Sequence, residues 1–274
     1  MTILQTIILG VVQGITEFFP VSSSGHLIAI RHIFNFNSAS PAYWLAFDVS
    51  LHFGTFMAIC IYFFKDFMSM LTEGFKFKNS EGKVSFKNLS QQGKLLWFII
   101  VACIPGALAG VLFGDVIESY IREPWIVAIA LAVMGIIMFV VDKYAKKDNT
   151  IEKLTFKQAI LIGVGQMFAL IPGFSRSGTT MTVARALKLD RESATKFSFL
   201  LGAPVMFGAA VFAIKKITPD MLDLSFFLGI AVSFVVGMLA IKVLMNIVKK
   251  VGFEWFAIYR LALALVIIAV YFVR

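Results

Sequence analysis

Apolar positions along this chain gather into long blocks. A helix needs about 20 mainly apolar residues to cross a hydrocarbon layer about 30 Å thick. Blocks of that kind occupy residues 46–64, 95–113, 125–141, 193–213, 225–248 and 255–273, and each is expected as a full crossing. Two further apolar segments are interrupted. Each begins as a helix, meets Pro20 or Pro172, passes through a Ser/Gly cluster, and resumes as a short helical stretch at 25–34 or 178–187. Pro, Gly and Ser together break a helix. Irregular backbone at membrane depth is tolerated only where protein buries it or where it lines a wet cavity. Both segments are therefore expected as re-entrant hairpins. The fold class is all-α: a polytopic membrane protein with six transmembrane helices plus two re-entrant helical hairpins, in one integral membrane domain over 1–274.

The interrupted segments resemble each other. Positions 8–26, ILGVVQGITEFFPVSSSGH, return at a constant offset of 153 as positions 161–179, LIGVGQMFALIPGFSRSGT. Gly10 pairs with Gly163, Gln13 with Gln166, Ser22 with Ser175, Ser24 with Ser177 and Gly25 with Gly178. The chain reads as a duplication, with half one at 1–141 and half two at 158–274. If each half holds one hairpin and three crossings, the odd number starts the second half on the opposite face, so the repeats are expected to be inverted. The copies differ where chemistry is concerned: Glu17 faces Leu170, Ser23 faces Arg176, and His26 faces Thr179.

Composition agrees with a bilayer setting. The chain is 59% hydrophobic and 15% charged, with a mean hydropathy of +0.87, which is more apolar surface than a soluble core of this length can bury. The first apolar run lacks a basic flank and carries Glu17, so it is not expected to be a cleaved signal. Seventeen Lys and Arg residues fall on one face, in 65–94, 143–157, 185–196 and 249–250. Five fall on the other: Arg31, Arg122, Lys215, Lys216 and Arg274. The basic face is expected to be cytoplasmic, with both termini outside. The net charge of +9 follows from this bias and suits anionic lipid, and nucleic acid is not an expected partner. The Lys-rich stretch at 65–94 reads as a solvated loop. Cys60 and Cys103 read as buried free thiols.

Inverted repeats with broken helices bring their loops toward the midplane, where half-helix N-termini point free N–H groups at an anion. Arg176 is the decisive cation, because its planar fork matches phosphate oxygens; pairing with Glu17, to knit the hairpins together, is the structural alternative. Ser22, Ser24, Gly25, Ser175, Ser177, Gly178 and Thr180 are expected to contact the substrate, although for Ser22, Ser23 and Ser24 helix capping competes with chemistry. Gln13 and Glu17 are four apart on one helical face. They could hold a divalent cation, or Glu17 could act as a general base. Ser23 replaces the arginine of the duplicated loop and is the candidate nucleophile, with an attacking water as the alternative and His26 assisting proton transfer. Asp48 and His52 are expected as outer support, His32 as interfacial, and Arg260 has no partner within helical reach.

Gln13-x-x-x-Glu17 followed by Pro20-Val-Ser-Ser-Ser-Gly-His26, together with Pro172-Gly-Phe-Ser-Arg-Ser-Gly178, resembles the bacterial undecaprenyl-diphosphate phosphatase family, also called the bacitracin-resistance proteins. The resemblance covers the whole chain and includes the Ala257-Ile-Tyr-Arg260 stretch. The family admits Glu or Gln at the first motif position, and Gln13 here departs from a two-carboxylate mechanism. The resemblance implies removal of the terminal phosphate from a polyprenyl diphosphate in the bacterial plasma membrane, cleavage at the outer leaflet, and dependence on a divalent cation, Mg²⁺ or Ca²⁺. The expected partners are that lipid and the bilayer, with a homodimer left open. A flippase or transporter of an anionic polyprenyl lipid is the rival class, and it leaves the concentration of Glu17, Ser23 and His26 in one copy unexplained. A channel is less suited, since the loops carry no ring of charge.

Overall fold

Helix boundaries follow capping chemistry more closely than they follow hydropathy. The computed structural model describes residues 1–36, 40–78, 82–120, 123–146, 148–215 and 217–273. Among them run α1 (Ile3–Thr16), α2 (Ser23–Ile33), α3 (Pro41–Tyr62), α4 (Phe64–Glu73), α5 (Gln91–Tyr120), α6 (Pro124–Tyr144), α7 (Phe156–Met167), α8 (Arg176–Ala186), α9 (Arg191–Ile214), α10 (Leu224–Ile247) and α11 (Glu254–Val273). Isolated bridges join Lys78 to Val84 and Asn149 to Leu189. Helices α3, α5, α6, α9, α10 and α11 are the six long and apolar enough to cross a membrane. Several start earlier than their apolar blocks because polar residues open them. The side chains of Ser40, Asp190 and Asp223 accept from the backbone N–H of Tyr43, Ser193 and Phe226, which satisfies donors that the first turn leaves free.

Helices α1 and α7, at 14 and 12 residues, are too short to cross; the longer reaches only about 21 Å. Each opens with a capping box, Thr2 with Gln5 and Thr155 with Gln158, at the same offset as the sequence repeat. The likeness between the two segments therefore extends upstream of residues 8–26 and 161–179. Packing repeats too. Helix α1 lies on α10, and α7 lies on α5. Close contact needs glycine at these crossings: a Cβ on Gly10 would sit 2.9 Å from Val232 Cβ, and one on Gly14 2.7 Å from Val236 Cβ. Small residues are how helices approach in lipid, where apolar burial alone gives little drive. The interior is filled by fully buried Phe18, Phe197, Phe199, Leu200 and Leu201, with Phe18 edge-on to Phe199 at 5.4 Å. Large apolar side chains such as Val111, Leu112 and Phe272 point outward, as a lipid-facing surface requires.

The basic stretch at 65–94 is not a plain solvated loop. Helix α4 continues from α3 after a single-residue joint at Phe63, buries Met70 against the interior, and packs on α5. Asp66 accepts from Lys196 of α9 at 2.7 Å, and Trp97 Nε1 donates to the Gly74 carbonyl at 2.8 Å. Hydropathy missed α4 because only one side of it is apolar. Of the residues in the charge count, Arg122, Lys147, Lys216 and Arg274 lie outside the described residues. Cys60 and Cys103 are free thiols.

Candidate functional site

Each broken segment ends in a serine whose backbone is forced into the left-handed region: Ser22 has φ 73° and Ser175 has φ 71°. Such a conformation costs a residue with a side chain about 1–3 kcal/mol and persists only where the surroundings impose it. Both serines then cap the next helix. Ser22 Oγ accepts from Gly25 N at 3.3 Å, and Ser175 Oγ accepts from Gly178 N at 3.1 Å. Ser24 Oγ lies 3.3 Å from Ser22 Oγ, and Ser177 Oγ lies 3.2 Å from Ser175 Oγ. The two loops are thus one backbone design used twice.

Side chains from both loops meet on Glu17. Its Oε1 accepts from Arg176 Nη2 at 2.9 Å, and its Oε2 accepts from Ser23 Oγ at 2.8 Å and Gln13 Nε2 at 3.0 Å. His52 Nδ1 stands 3.4 Å from the same Oε2 and 3.0 Å from Gln13 Nε2. Because the Gln13 amide nitrogen can only donate, it gives one proton to the carboxylate and the other to His52 Nδ1. Arg176 also donates from Nη1 to the Ser198 carbonyl at 3.0 Å, and Gly202 leaves the space its guanidinium fills. The Arg176–Glu17 pairing set aside as an alternative in the sequence is present, so any anion that engages Arg176 competes with Glu17 for it.

A cavity of about 410 Å³ opens beside this cluster. Glu17, Ser24, His52 and Arg176 line it, as do Arg31 and Asp48 some two turns along α2 and one turn along α3, and Val205, Met206 and the alanines of α9 form an apolar wall. Arg31 is paired with Asp48, Nη1 to Oδ2 at 3.0 Å, and lies 4.3 Å over the Trp44 ring. Asp48 therefore supports Arg31 and not Glu17, while His52 touches Glu17 directly.

Other expected ligands are turned inward. Ser177 Oγ donates within reach of the Glu17 and Phe19 carbonyls, at 3.3 and 3.2 Å. Thr180 Oγ1 bonds the Arg176 carbonyl at 2.8 Å and lies 2.6 Å from Ser198 Oγ. Ser175, Ser177 and Thr180 are buried, whereas Ser23 is half-buried and Ser24 exposed. His26 is also occupied. Its Nδ1 lies 2.7 Å from the Ser22 carbonyl, which can only accept, so Nδ1 carries a proton and the neutral ring's Nε2 accepts from Tyr259 OH at 2.7 Å. The two rings stack with centroids 5.5 Å apart. The base in contact with Ser23 is Glu17. Tyr259 and Ser198 were not singled out in the sequence; Tyr259 lies inside the Ala257–Arg260 stretch that was.

Arg260 finds its partners among carbonyls. It is fully buried and donates to Leu131 O at 3.2 Å, Pro20 O at 3.0 Å, Gly173 O at 2.7 Å and Phe174 O at 3.2 Å.

Gln13 and Glu17 do not fit a two-oxygen seat for a divalent ion in this arrangement. Gln13 turns its NH₂ toward the carboxylate, its buried Oε1 meets no protein partner, and Glu17 already accepts from Arg176, Ser23 and Gln13. No group of three His, Cys, Asp or Glu suited to a metal occurs among the described residues.

A six-crossing helical fold with a serine, a carboxylate and an arginine converging beside an apolar cavity defines a membrane-embedded protein equipped to act on an anionic lipid. Residues 6–266 match the model of the bacitracin resistance protein BacA family, and the chain belongs to that family. It is 47% identical to the undecaprenyl-diphosphatase of Caldicellulosiruptor bescii over 100% of this chain and 99% of that protein. The undecaprenyl-diphosphatases of Desulforudis audaxviator and Moorella thermoacetica are 39% and 38% identical; the alignments cover 98% of both chains in the first case and 100% of both in the second.

Proposed function

We propose that this protein removes the terminal phosphate of undecaprenyl diphosphate, giving undecaprenyl phosphate and inorganic phosphate and so returning a lipid carrier to cell-wall synthesis. The carrying observation is the single carboxylate of Glu17, shared by Ser23 of one loop and Arg176 of the other. Phosphoryl transfer asks a protein mostly for position and for cations on the transferred oxygens. Arg176 grips those oxygens, the prenyl tail lies along the apolar wall of the cavity, and Ser23 Oγ attacks the terminal phosphorus as Glu17 takes its proton. The Oγ–P bond forms while the bridging P–O bond breaks, and the undecaprenyl phosphate leaves with the electron pair. Water then attacks the phosphoserine. The serine oxygen leaves and takes back the proton from Glu17; the water's oxygen keeps one proton on the inorganic phosphate and the other goes to solvent. Dependence on Mg²⁺ or Ca²⁺ is proposed from the family alone; a bound divalent ion would add positive charge against the diphosphate.

The test is phosphate release from undecaprenyl diphosphate by the purified protein in detergent, with acid-quenched protein examined for phosphoserine. Release with phosphate trapped on Ser23 supports the reading in full. Release with no trapped serine in any variant points to water as the nucleophile. A protein that moves the lipid between leaflets and releases nothing is a transporter.

The same proposal includes two re-entrant hairpins in an inverted repeat, with termini and site mouth outside. It is supported by the short α1 and α7, the paired left-handed serines, the exchanged packing of α1 on α10 and α7 on α5, and the placement of Lys and Arg. In a background lacking Cys60 and Cys103, an impermeant thiol reagent on intact cells is expected to label a cysteine at Ala39, outside the described residues, and to spare one at Ser85. The reverse pattern would refute the orientation.

A further inference from the structure

Arg260 bonds the two loops at equivalent places. Pro20 and Gly173, whose carbonyls take its two terminal nitrogens at 3.0 and 2.7 Å, are separated by the same 153 positions as the rest of the repeat. Ser23 and Arg176 stand three residues beyond them, one in each copy. A single planar fork thus holds the two strands of backbone that carry the nucleophile and the phosphate grip, each just ahead of a serine in the left-handed region. We infer that Arg260 is the positioning residue of the reaction, setting the distance between Ser23 and Arg176 across the duplication.

Charge separates this role from plain packing. Arg260 is fully buried, and all its acceptors are neutral carbonyls. It also lies against the first turn of α8, since a Cβ on Gly178 would be 3.1 Å from its Nη1. A helix N-terminus is already positive, so a cation beside it does nothing for the helix. The arrangement suits a loop pair built to face an anion, and a guanidinium is the one side chain whose geometry reaches two carbonyls at once while remaining charged. Lysine offers charge from a single point; glutamine offers a planar donor without charge.

The inference rests on the phosphatase reading, and the wild-type protein serves as the control for it: without phosphate release from undecaprenyl diphosphate, that reading fails first. Given an active wild type, Arg260→Lys and Arg260→Gln are purified in detergent, and kcat is taken per folded molecule, using thermal unfolding and monodispersity to count the folded fraction. Both variants are expected to lose 10- to 100-fold in kcat with KM changed less than threefold, because the parts that bind remain and their mutual distance is lost. A loss accounted for entirely by fewer folded molecules, or one that falls on KM alone, overturns the inference. If neither variant inserts, Gly135→Ala carries the test. Its new Cβ would lie 3.3 Å from Arg260 Cβ and shift the arginine without removing it. A two- to fivefold fall in kcat at unchanged KM supports the positioning role, and wild-type kcat refutes it.

Discussion

The loop that carries Ser23 and the loop that carries Arg176 share a backbone and differ in where their side chains go. In both, a left-handed serine caps the following helix, and the serine two residues further on leans on the cap. In the first loop Ser23 and Ser24 stay open to solvent or cavity. In the second the matching serine, Ser177, is 1% exposed and fastens the loop to the carbonyls of Glu17 and Phe19. The two loops share one frame, and the segments that carry them differ at the three positions where chemistry is proposed, Glu17 against Leu170, Ser23 against Arg176 and His26 against Thr179. A hydroxyl that keeps its place in a motif can therefore line the cavity in one copy, as Ser24 does, and fasten the loop in the other, as Ser177 does.

The largest effect is expected where the second loop reaches into the first. Arg176→Ala should reduce phosphate release by at least about a thousandfold, the range over which a cation that stabilises a transferring phosphoryl group acts. Arg176→Lys should recover little, because a point charge cannot replace the fork. Either variant must first be shown to insert, since removing one partner of a buried pair costs about 3–5 kcal/mol. Near-normal turnover in either would take Arg176 out of the site.

Next comes the comparison of the hydroxyls of the two loops, in which Ser177 corresponds to Ser24 and Ser23 has no counterpart serine. Ser23→Ala should lose several orders of magnitude, while Ser22→Ala and Ser24→Ala lose far less. Ser177→Ala should lose less than tenfold in activity and instead lower stability by about 1–2 kcal/mol, the scale of a buried hydrogen bond. Similar losses at Ser23 and Ser177 would erase the division of labour between the copies.

A smaller effect distinguishes His26 from its counterpart Thr179. Both ring nitrogens of His26 have protein partners at 2.7 Å, and neither partner is Ser23. Tyr259→Phe removes only the hydroxyl that bonds Nε2, and phosphate-release kinetics should show a loss below about tenfold, as for one hydrogen bond of about 1 kcal/mol. A loss as deep as that of Ser23→Ala would make His26 part of the proton path after all.

Much of this was legible in the sequence, for physical reasons that differ from residue to residue. Crossings show because hydrocarbon demands a length and a composition. Glu17, Ser23 and Arg176 show because the repeat lines up the positions where the copies diverge, and the structure brings all three into contact. Helix α4 did not show, since its apolar residues occupy one side only. The inward turn of Ser177 and Thr180 was invisible, because a motif fixes spacing along the chain and not which side of a loop meets protein. The sequence names no partner for Arg260 because its partners are carbonyls, which carry no residue identity. Spacing of one helical turn groups His52 with Asp48 as outer support, although of the two only His52 reaches Glu17.

The smallest expected effect belongs to the first matched polar pair, Gln13 and Gln166. Gln13 donates to Glu17 and His52, so Gln13→Leu leaves the carboxylate with Arg176, Ser23 and the nearby His52; phosphate release should fall about three- to tenfold, the scale of a net loss of about 1 kcal/mol. Gln166 is just as buried, at 3% exposure, yet neither its Oε1 nor its Nε2 meets a protein partner. An unpaired buried polar group costs about 1–3 kcal/mol, and an apolar side chain of similar size removes that cost. Gln166→Leu should therefore leave turnover within twofold of wild type and raise the unfolding temperature measured in detergent. Lost activity without lost stability would mean that the second copy retains a polar duty its surroundings do not display, and the contrast between a reacting half and a fastening half would have to be redrawn at its first residue.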